Sequence, residues 1–502
     1  MIVVYFVQKR ARFRIPRHLS LATMSSFEAF DLTLLDHTIP PCYVRFFLSF
    51  PLDNVPTAVS QLQAGTASLL KRLPFLAGDL APSETPGATK GLLCIRPSAL
   101  NTLDSEALCI RTHDCLLKHC TITASTSEQC GTADESYLPL PFFADVGKAV
   151  PIFRLQINVL KDGIVLGLAF HHAAIDATGM GVVVQELATC CRDPEMSDPM
   201  LPRTDVDQQR RARELLATSF ARSTPRQDHS TEFPVVASML TDLAGIKKAM
   251  GQAAKEFSTQ YFRLPSRMVQ DLKQCCNQAL TAHRESFHQT SWLSSNDIVV
   301  SLLWMCLNRS RHSGRVARPS QSQICMAVNV RNRLQPPIPS TYINNAVVFL
   351  RDSVEIESFL CPQEKDVSSR FCRGPAELQG WQFDLCQIAS RIRCKLKHMD
   401  NAYVRSVISY LAEVEDLSTI AFGPSDFYIS SWRELGIYHA DFGGSLGHPT
   451  DMRVCDGMTD GQFYIMPKRR QGEDFWEVHV TIHRDTMAAL CADKLWSTYT
   501  SA

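Results

Sequence analysis

Residues 170–179 read Phe170-His-His-Ala-Ala-Ile-Asp-Ala-Thr-Gly179. The stretch before them, Gly163 to Phe170, has little polar content, which is typical of a buried strand. Beyond them, apolar residues recur at three- and four-residue steps from Met180 onwards, which predicts a helix with Thr178 as its N-cap. The two histidines therefore lie where a buried strand turns into a helix, and such a turn can expose an imidazole to a channel.

His172 and Asp176 stand four residues apart in this junction. About one H-x-x-x-D pair is expected by chance in a chain with 15 histidines, so the spacing alone is weak evidence. His172 is, however, the only one of those histidines with Asp at the fourth following position. Because neighbours in an extended backbone point to opposite faces, only one of His171 and His172 can face a given channel, and the spacing to Asp176 favours His172. The competing interpretation is a pair of hydrogen-bonded core histidines.

Outward from this junction, both halves of the chain mix strand-like and helix-like segments. The strand-like stretches include residues 43–50, 92–96, 151–159 and 324–330, and the helix-like ones 59–73, 296–307 and 385–396. The polar, proline-containing stretch 192–233 is typical of a crossover between domains. We therefore predict an α/β protein with an N-terminal domain at 24–225 and a C-terminal domain at 226–502. The basic segment 1–23 is expected to be an unstructured extension, and 351–380 an insertion.

Composition excludes several classes of partner. Lys plus Arg and Asp plus Glu are equal at 51 each, so no global field favours nucleic acid or an anionic membrane. No apolar run reaches the roughly 18 residues of a spanning helix. The 18 cysteines include no C-x-x-C, so we expect no metal site, and we interpret them as reduced core thiols of a cytoplasmic protein. Nothing indicates a coiled coil, and a monomer is the expected state.

Several further motifs occur along the chain in an order that resembles one known family. They are Leu34-Leu35-Asp36, Leu73-Pro-Phe-Leu-Ala-Gly78, Ser294-Ser-Asn-Asp297, Val328-Asn-Val-Arg331 with Tyr342-Ile-Asn-Asn345, Ser430-Ser-Trp432 and Asp441-Phe-Gly443. Together with His172 and Asp176 they resemble the BAHD-type, H-x-x-x-D acyl-CoA transferases, and most closely the fungal branch that is trichothecene 3-O-acetyltransferase-like. The resemblance covers nearly all of residues 30–500. It implies two similar chloramphenicol-acetyltransferase-like domains, each a mixed sheet flanked by helices, with the active-site channel between them.

The resemblance also implies a mechanism without a covalent enzyme intermediate. His172 would remove the proton of an acceptor hydroxyl as its oxygen attacks the thioester of an acyl-CoA, most simply acetyl-CoA. Asp176 would be clamped by Arg331 rather than act as a charge relay, and Ser430 with the indole of Trp432 would stabilise the oxyanion. Asp441 belongs to a second family motif. This chain departs from the family there, since Gly444 stands where an aromatic residue is usual, which questions the rigidity of that loop.

The remaining assignments follow from the same resemblance. Ser294, Asn296, Asp297, Arg331 and Gly443 are expected to serve the coenzyme A side. No cofactor is expected to be bound permanently, acyl-CoA is the co-substrate, and the acceptor is a hydroxylated terpenoid, alkaloid or polyketide. Two alternatives remain open: a condensation-domain-like enzyme that uses carrier-bound acyl groups, and a catalytically inactive binding relative.

Overall fold

The computed structural model describes residues 27–98, 107–120, 135–144, 148–195, 204–218, 227–235, 248, 250–283, 285, 287, 290–312, 320–356, 380–455, 457, 459–470 and 474–500. Within them the chain forms three β-sheets flanked by helices, as expected for the predicted α/β class. The predicted extension 1–23, the boundary near residue 225 and residues 357–379 of the insertion-like stretch lie outside the described residues.

The elements follow one another as strands and helices of ordinary length. The strands are β1 (Phe30–Asp31), β2 (Tyr43–Pro51), β3 (Asp79–Pro82), β4 (Leu93–Arg96), β5 (Leu108–Thr112), β6 (Val150–Pro151), β7 (Phe153–Leu160), β8 (Gly163–His171), β9 (Phe257–Pro265), β10 (Gln321–Asn329), β11 (Val347–Glu355), β12 (Phe427–Ser431), β13 (Asp451–Val454), β14 (Gln462–Ile465) and β15 (Phe475–His483). The helices are α1 (Val55–Arg72), α2 (Ala177–Arg192), α3 (Val206–Thr218), α4 (Ser266–Ala282), α5 (Ser295–His312), α6 (Trp381–His398), α7 (Asn401–Leu411), α8 (Arg484–Ala492) and α9 (Lys494–Tyr499).

A five-stranded sheet in the order β13-β2-β8-β7-β5 carries the histidine junction. Its central strand β8 is buried over its whole length, because neighbouring strands cover both edges and helices α1 and α2 contribute to the core beside it. Strands β2 and β8 run antiparallel, so Tyr43 lies opposite His171. The edge strand β13 comes from far along the chain, and Met452 pairs with Leu48. The sheet of the first half is thus completed by a strand of the second.

A six-stranded mixed sheet, in the order β11-β10-β12-β14-β15-β9, forms the second half. Side chains alternate between the two faces along each strand. Ile429 of β12 and Phe463 of β14 are buried in a core that helices α4, α5, α6 and α8 share, whereas their neighbours in each strand point to the opposite face. That opposite face is polar, and Tyr464 on it packs against the hydrophobic core of the five-stranded sheet. Four of its residues are called the inner face below: Ser430, Gln462, Tyr464 and His479.

A four-stranded sheet in the order β1-β4-β3-β6 completes the first half.

The structure bears on two predictions made from composition, those of membrane helices and of cysteine oxidation. No described helix is long and apolar enough to cross a membrane. Fourteen of the described cysteines are free thiols, whereas Cys275 is disulfide-bonded, so the prediction of reduced thiols is wrong at that position.

Candidate active site

The backbone of His172 is held from both halves of the chain. Its N–H donates to the carbonyl oxygen of Cys42 at 2.8 Å, just before strand β2. Its own carbonyl oxygen accepts a hydrogen bond from the Asn345 side-chain amide at 3.1 Å, which comes from the segment leading into β11. These two bonds fix the residue at the point where β8 ends. The position of His172 therefore depends on contacts between the two halves.

The two adjacent histidines occupy different environments. His171 is 1% exposed and packs edge-to-face on Tyr43 with ring centroids 5.2 Å apart. Burial lowers the pKa of His171 to about 3, so the ring stays neutral. His172 retains solvent-accessible surface, although burial is also the main cause that lowers its pKa, opposed by the charge of Asp176. His172 is thus a partly exposed, neutral imidazole, and such a group can accept a proton.

Asp176 is buried, and its carboxylate is bonded to donors of the protein. The side chains of Asp176 and Arg331 are 2% and 1% exposed, and two parallel hydrogen bonds of 2.9 Å join them. The carboxylate also accepts from the backbone N–H of Ala346 at 2.9 Å and of Gly179 at 2.8 Å. Four donors thus saturate the carboxylate, and the arrangement ties the start of α2 to the chain segment that precedes β11.

The contact with Gly179 corrects one prediction. Helix α2 begins at Ala177 and its N-cap is Asp176, not Thr178. Thr178 instead lies in the first turn, where its hydroxyl accepts from the Asn329 side chain at 3.1 Å. An aspartate satisfies free N–H groups at a helix start as well as threonine does. The residue expected only in an ion pair therefore also starts the helix.

Arg331 is fully occupied by protein acceptors. Besides Asp176, its guanidinium donates to the carbonyl oxygens of Tyr342 at 2.8 Å and Asn344 at 2.9 Å. At 1% exposure it offers no surface to a ligand. This geometry matches the expected clamp on the histidine loop, whereas the parallel assignment of Arg331 to the coenzyme A side finds no exposed atom to support it.

A second buried carboxylate supports Asn345. Asp36 is fully buried, and its Oδ1 accepts from both the backbone N–H and the side-chain amide of Asn345 at 2.9 Å. Its Oδ2 accepts from the N–H and hydroxyl of Thr33. Burial raises the pKa of Asp36 to about 6. Both residues belong to motifs of the resemblance, Leu34-Leu35-Asp36 and Tyr342-Ile-Asn-Asn345, but their contact is not predictable from local patterns because more than 300 residues separate them.

Ser430 and Trp432 stand together at the end of β12. The indole N–H of Trp432 donates to the Ser430 hydroxyl oxygen at 3.0 Å, and the indole packs on Phe46 of β2 with centroids 6.2 Å apart. Trp432 is 2% exposed, whereas Ser430 keeps accessible surface. Since an indole has a single donor, the donor that remains for a ligand in this pair is the hydroxyl of Ser430.

Asp441 and Gly443 lie at the far end of α2. Asp441 accepts from the Gly443 N–H at 2.8 Å and meets Arg192, the last residue of α2, at 3.4 Å. The 16 residues of α2 span about 24 Å, so Asp441 is too distant to touch reacting atoms at His172. Its assignment as a catalytic residue is corrected on this ground to a residue of the loop.

Gln61 of helix α1 braces the loop that follows Asp441. Its amide donates to the carbonyl oxygens of Phe442 at 2.8 Å and Cys191 at 3.0 Å, and accepts from the N–H of Ser445 at 3.2 Å. Gly444 has φ +47°, and a Cβ there would lie 3.1 Å from the Gln61 amide. The glycine that departs from the family pattern therefore makes room for this brace.

Ser294, Asn296 and Asp297 form the start of helix α5. The Asp297 carboxylate is buried and accepts from the Ser294 N–H and hydroxyl at 2.7 and 2.9 Å. It also pairs with Arg393 of α6. No described contact joins this group to the histidine loop, and among the described residues no cluster of His, Cys, Asp or Glu could hold a metal.

Comparison with known proteins identifies the family. The chain matches the Transferase family over residues 133–369 and 375–494, and the trichothecene 3-O-acetyltransferase-like N-terminal domain over 42–191. It is 50% identical over 486 residues to the O-acetyltransferase ptmV of Penicillium ochrochloron, covering 94% of this chain and 97% of the relative. It is 34% identical to the O-acetyltransferase anaAT of Neosartorya fischeri, covering 94% of this chain and 97% of the relative.

A solved structure shares the fold. It is the crystal structure of F. graminearum TRI101 complexed with coenzyme A and deoxynivalenol, with a TM-score of 0.71 at 19% sequence identity, covering 95% of this chain and 99% of that one. The two-domain α/β fold and the resemblance to BAHD-type transferases, both predicted from the motifs, are thereby confirmed. The chain belongs to the Transferase family and is an acyltransferase.

Proposed function

We propose that this chain transfers an acetyl group from acetyl-CoA to a hydroxyl of a fungal-type secondary metabolite, with His172 as the general base. One observation carries the proposal: His172 is neutral and partly exposed, and its backbone is held from both halves of the chain. Relatives at 50% and 34% identity are O-acetyltransferases, which favours an acetyl donor and an oxygen acceptor. We place the protein in the cytoplasm as a monomer.

The chemistry needs one base and one hydrogen-bond donor. The imidazole of His172 takes the proton of the acceptor hydroxyl while that oxygen attacks the thioester carbonyl carbon. The carbonyl oxygen becomes an oxyanion, to which the Ser430 hydroxyl donates, its orientation fixed by the indole N–H of Trp432. When the C–S bond breaks, the imidazolium returns its proton to the departing CoA sulfur. The products are the ester and CoA, and the imidazole is neutral again.

Asp176 and Asn345 act as positioning residues in this proposal. The Asp176–Arg331 pair holds the start of α2, and Asn345 holds the His172 carbonyl. Neither carboxylate of the site is aimed at the reacting atoms: Asp176 is saturated by four donors, and Asp36 acts through Asn345. The base therefore works without a charge relay. We assign Ser294, Asn296, Asp297 and Gly443 no contact with the reacting groups.

The test is a transfer assay with the purified full chain. Acetyl-CoA labelled in the acetyl group is mixed with a panel of hydroxylated terpenoids, alkaloids and polyketides, and labelled ester is measured. His172→Ala is expected to lower kcat about 10²- to 10⁴-fold, since a positioned general base supplies that factor. Circular dichroism and the thermal unfolding midpoint establish that the variant folds. A folded His172→Ala protein that keeps most of its rate excludes His172 as the base.

Two controls separate the open alternatives. Replacing acetyl-CoA by an acetylated carrier protein asks whether the donor is carrier-bound, as for a condensation-like enzyme. Failure of the wild-type chain to acetylate any alcohol from either donor, while it still binds them, indicates a binding protein without this activity.

A further inference from the structure

Tyr464 carries a second hydroxyl on the inner face, next to Ser430. The two residues lie opposite one another in the parallel pairing of β12 and β14, so their side chains share a face. The Tyr464 ring packs on the Trp432 indole with centroids 4.6 Å apart. Because a tyrosine is much longer than a serine, the Tyr464 hydroxyl extends further from the sheet than that of Ser430.

The hydrogen bonding of this hydroxyl leaves its proton unused. Gln462 donates through its side-chain amide to the Tyr464 oxygen at 2.5 Å. An amide N–H can only donate, so the phenol oxygen is the acceptor in this bond and its own O–H points elsewhere. No described residue accepts that proton. Burial raises the pKa of Tyr464, and the phenol therefore stays protonated at physiological pH.

A series of ring contacts links Tyr464 to the histidine junction, because Tyr464 packs on Trp432, Trp432 on Phe46, and Phe46 on Phe170. Like His172, Tyr464 keeps solvent-accessible surface despite strong desolvation. Cys42, whose carbonyl oxygen holds the His172 N–H, is close enough to influence the pKa of Tyr464 electrostatically. A desolvated donor without a partner costs free energy unless a ligand or water satisfies it. The geometry therefore leaves one oriented donor available to a ligand or to water.

We propose that Tyr464 is a specificity-determining residue that donates a hydrogen bond to an oxygen of the acceptor close to the hydroxyl being acylated. The inference rests on the function proposed above. Ser430 is assigned to the thioester oxygen, and because the Tyr464 hydroxyl extends further from the sheet than that of Ser430, we assign it to an oxygen of the acceptor. The acceptor class is then an alcohol with a neighbouring ether, carbonyl or hydroxyl oxygen. Gln462 orients the donor.

The experiment compares two acceptors that differ in this oxygen alone. Each panel alcohol that the wild type acetylates is paired with its analogue in which the neighbouring oxygen is replaced by CH₂; 2-methoxycyclohexanol and 2-ethylcyclohexanol are the simplest pair. The wild type is expected to prefer the oxygenated member about tenfold in kcat/KM, because the analogue leaves the desolvated donor unpaired. Tyr464→Phe is expected to abolish the preference, with the KM for acetyl-CoA unchanged.

Gln462→Glu tests the orientation of the donor separately. A carboxylate accepts instead of donating, so it draws the Tyr464 proton to itself, and the variant is expected to lose the preference as Tyr464→Phe does. Tyr410→Phe is the matched control. Tyr410 of helix α7 is also half-buried, but its hydroxyl donates to the carbonyl oxygen of Phe233 and not to a group of the inner face. The Tyr410→Phe variant is expected to keep the tenfold preference.

Three outcomes overturn the inference. Equal kcat/KM values of the wild type for both acceptors show that the protein does not recognise the neighbouring oxygen. If folded Tyr464→Phe still prefers the oxygenated acceptor, another residue recognises the neighbouring oxygen. A raised KM for acetyl-CoA in Tyr464→Phe, with the preference kept, assigns the hydroxyl to the coenzyme. Absence of any acetylation by the wild type is different, since it removes the proposed function and this inference with it.

Discussion

The two ends of helix α2 carry the same pair of residue types in opposite surroundings. At its start, Asp176 and Arg331 are 2% and 1% exposed and share two hydrogen bonds. At its end, Asp441 and Arg192 are 40% and 37% exposed and meet through a single contact of 3.4 Å. Removing one partner of a buried pair leaves an uncompensated charge in the interior, whereas water replaces the lost partner at the surface. The burial of each aspartate, and not its place in a sequence motif, therefore determines how much it contributes to stability.

An Asp→Asn substitution at each end of α2 tests whether burial determines the contribution of each aspartate. Asp176→Asn is expected to have the larger effect, because Arg331 keeps its charge in the interior and loses its counter-ion. We expect a loss of about 3 to 5 kcal/mol in the free energy of unfolding, with acetyl transfer reduced along with it. Urea-induced unfolding followed by fluorescence measures the first quantity. An unfolding midpoint equal to that of the wild type contradicts the stabilising role given to the Asp176–Arg331 pair.

Gln61→Ala has an intermediate expected effect. It removes the side chain that braces the loop at the end of α2 and leaves the Ser445 N–H and the Phe442 carbonyl without their partner. We expect a loss of about 1 to 2 kcal/mol, measured by the same unfolding experiment. Gln63→Ala is the matched control on the same helix, and it is expected to change stability by less than about 0.5 kcal/mol. Equal losses for the two variants contradict the role given to Gln61.

Asp441→Asn is expected to have the smallest effect. The amide oxygen can still accept from Gly443, and the exposed contact with Arg192 is screened by solvent. A loss below about 1 kcal/mol is expected, and it should shrink further in 0.5 M salt. A loss as large as that of Asp176→Asn would show that Asp441 is far more constrained than its exposure indicates.

The sequence predicts one end of α2 better than the other. The buried strand, the turn at His172 and the helix behind it are all local patterns, which is why their order is readable without a structure. The pairing of Asp176 with Arg331 came from the resemblance rather than from spacing. The sequence predicts Thr178 as the N-cap, but Asp176 takes that position, because one carboxylate has room for the helix N–H and the guanidinium together.

Long-range contacts are the part that local patterns do not contain. Asn345 reaches the His172 carbonyl from 173 residues away, and Gln61 reaches Phe442 from 381 residues away. Tyr464 lies opposite Ser430 because strands β12 and β14 are neighbours, which depends on strand order. The alternation of polar and apolar residues in β14 could have shown that one of its faces is polar, but not that this face lies inside the protein.

The late position of strand β13 in the chain affects folding during translation. Until residues 451–454 have left the ribosome, strand β2 is an open sheet edge whose sequence, Tyr43–Pro51, is almost entirely aromatic and aliphatic. Such an edge pairs readily with other chains. A nascent polypeptide that already holds most of its first half therefore presents this unpaired edge while nearly half of the chain is still being translated.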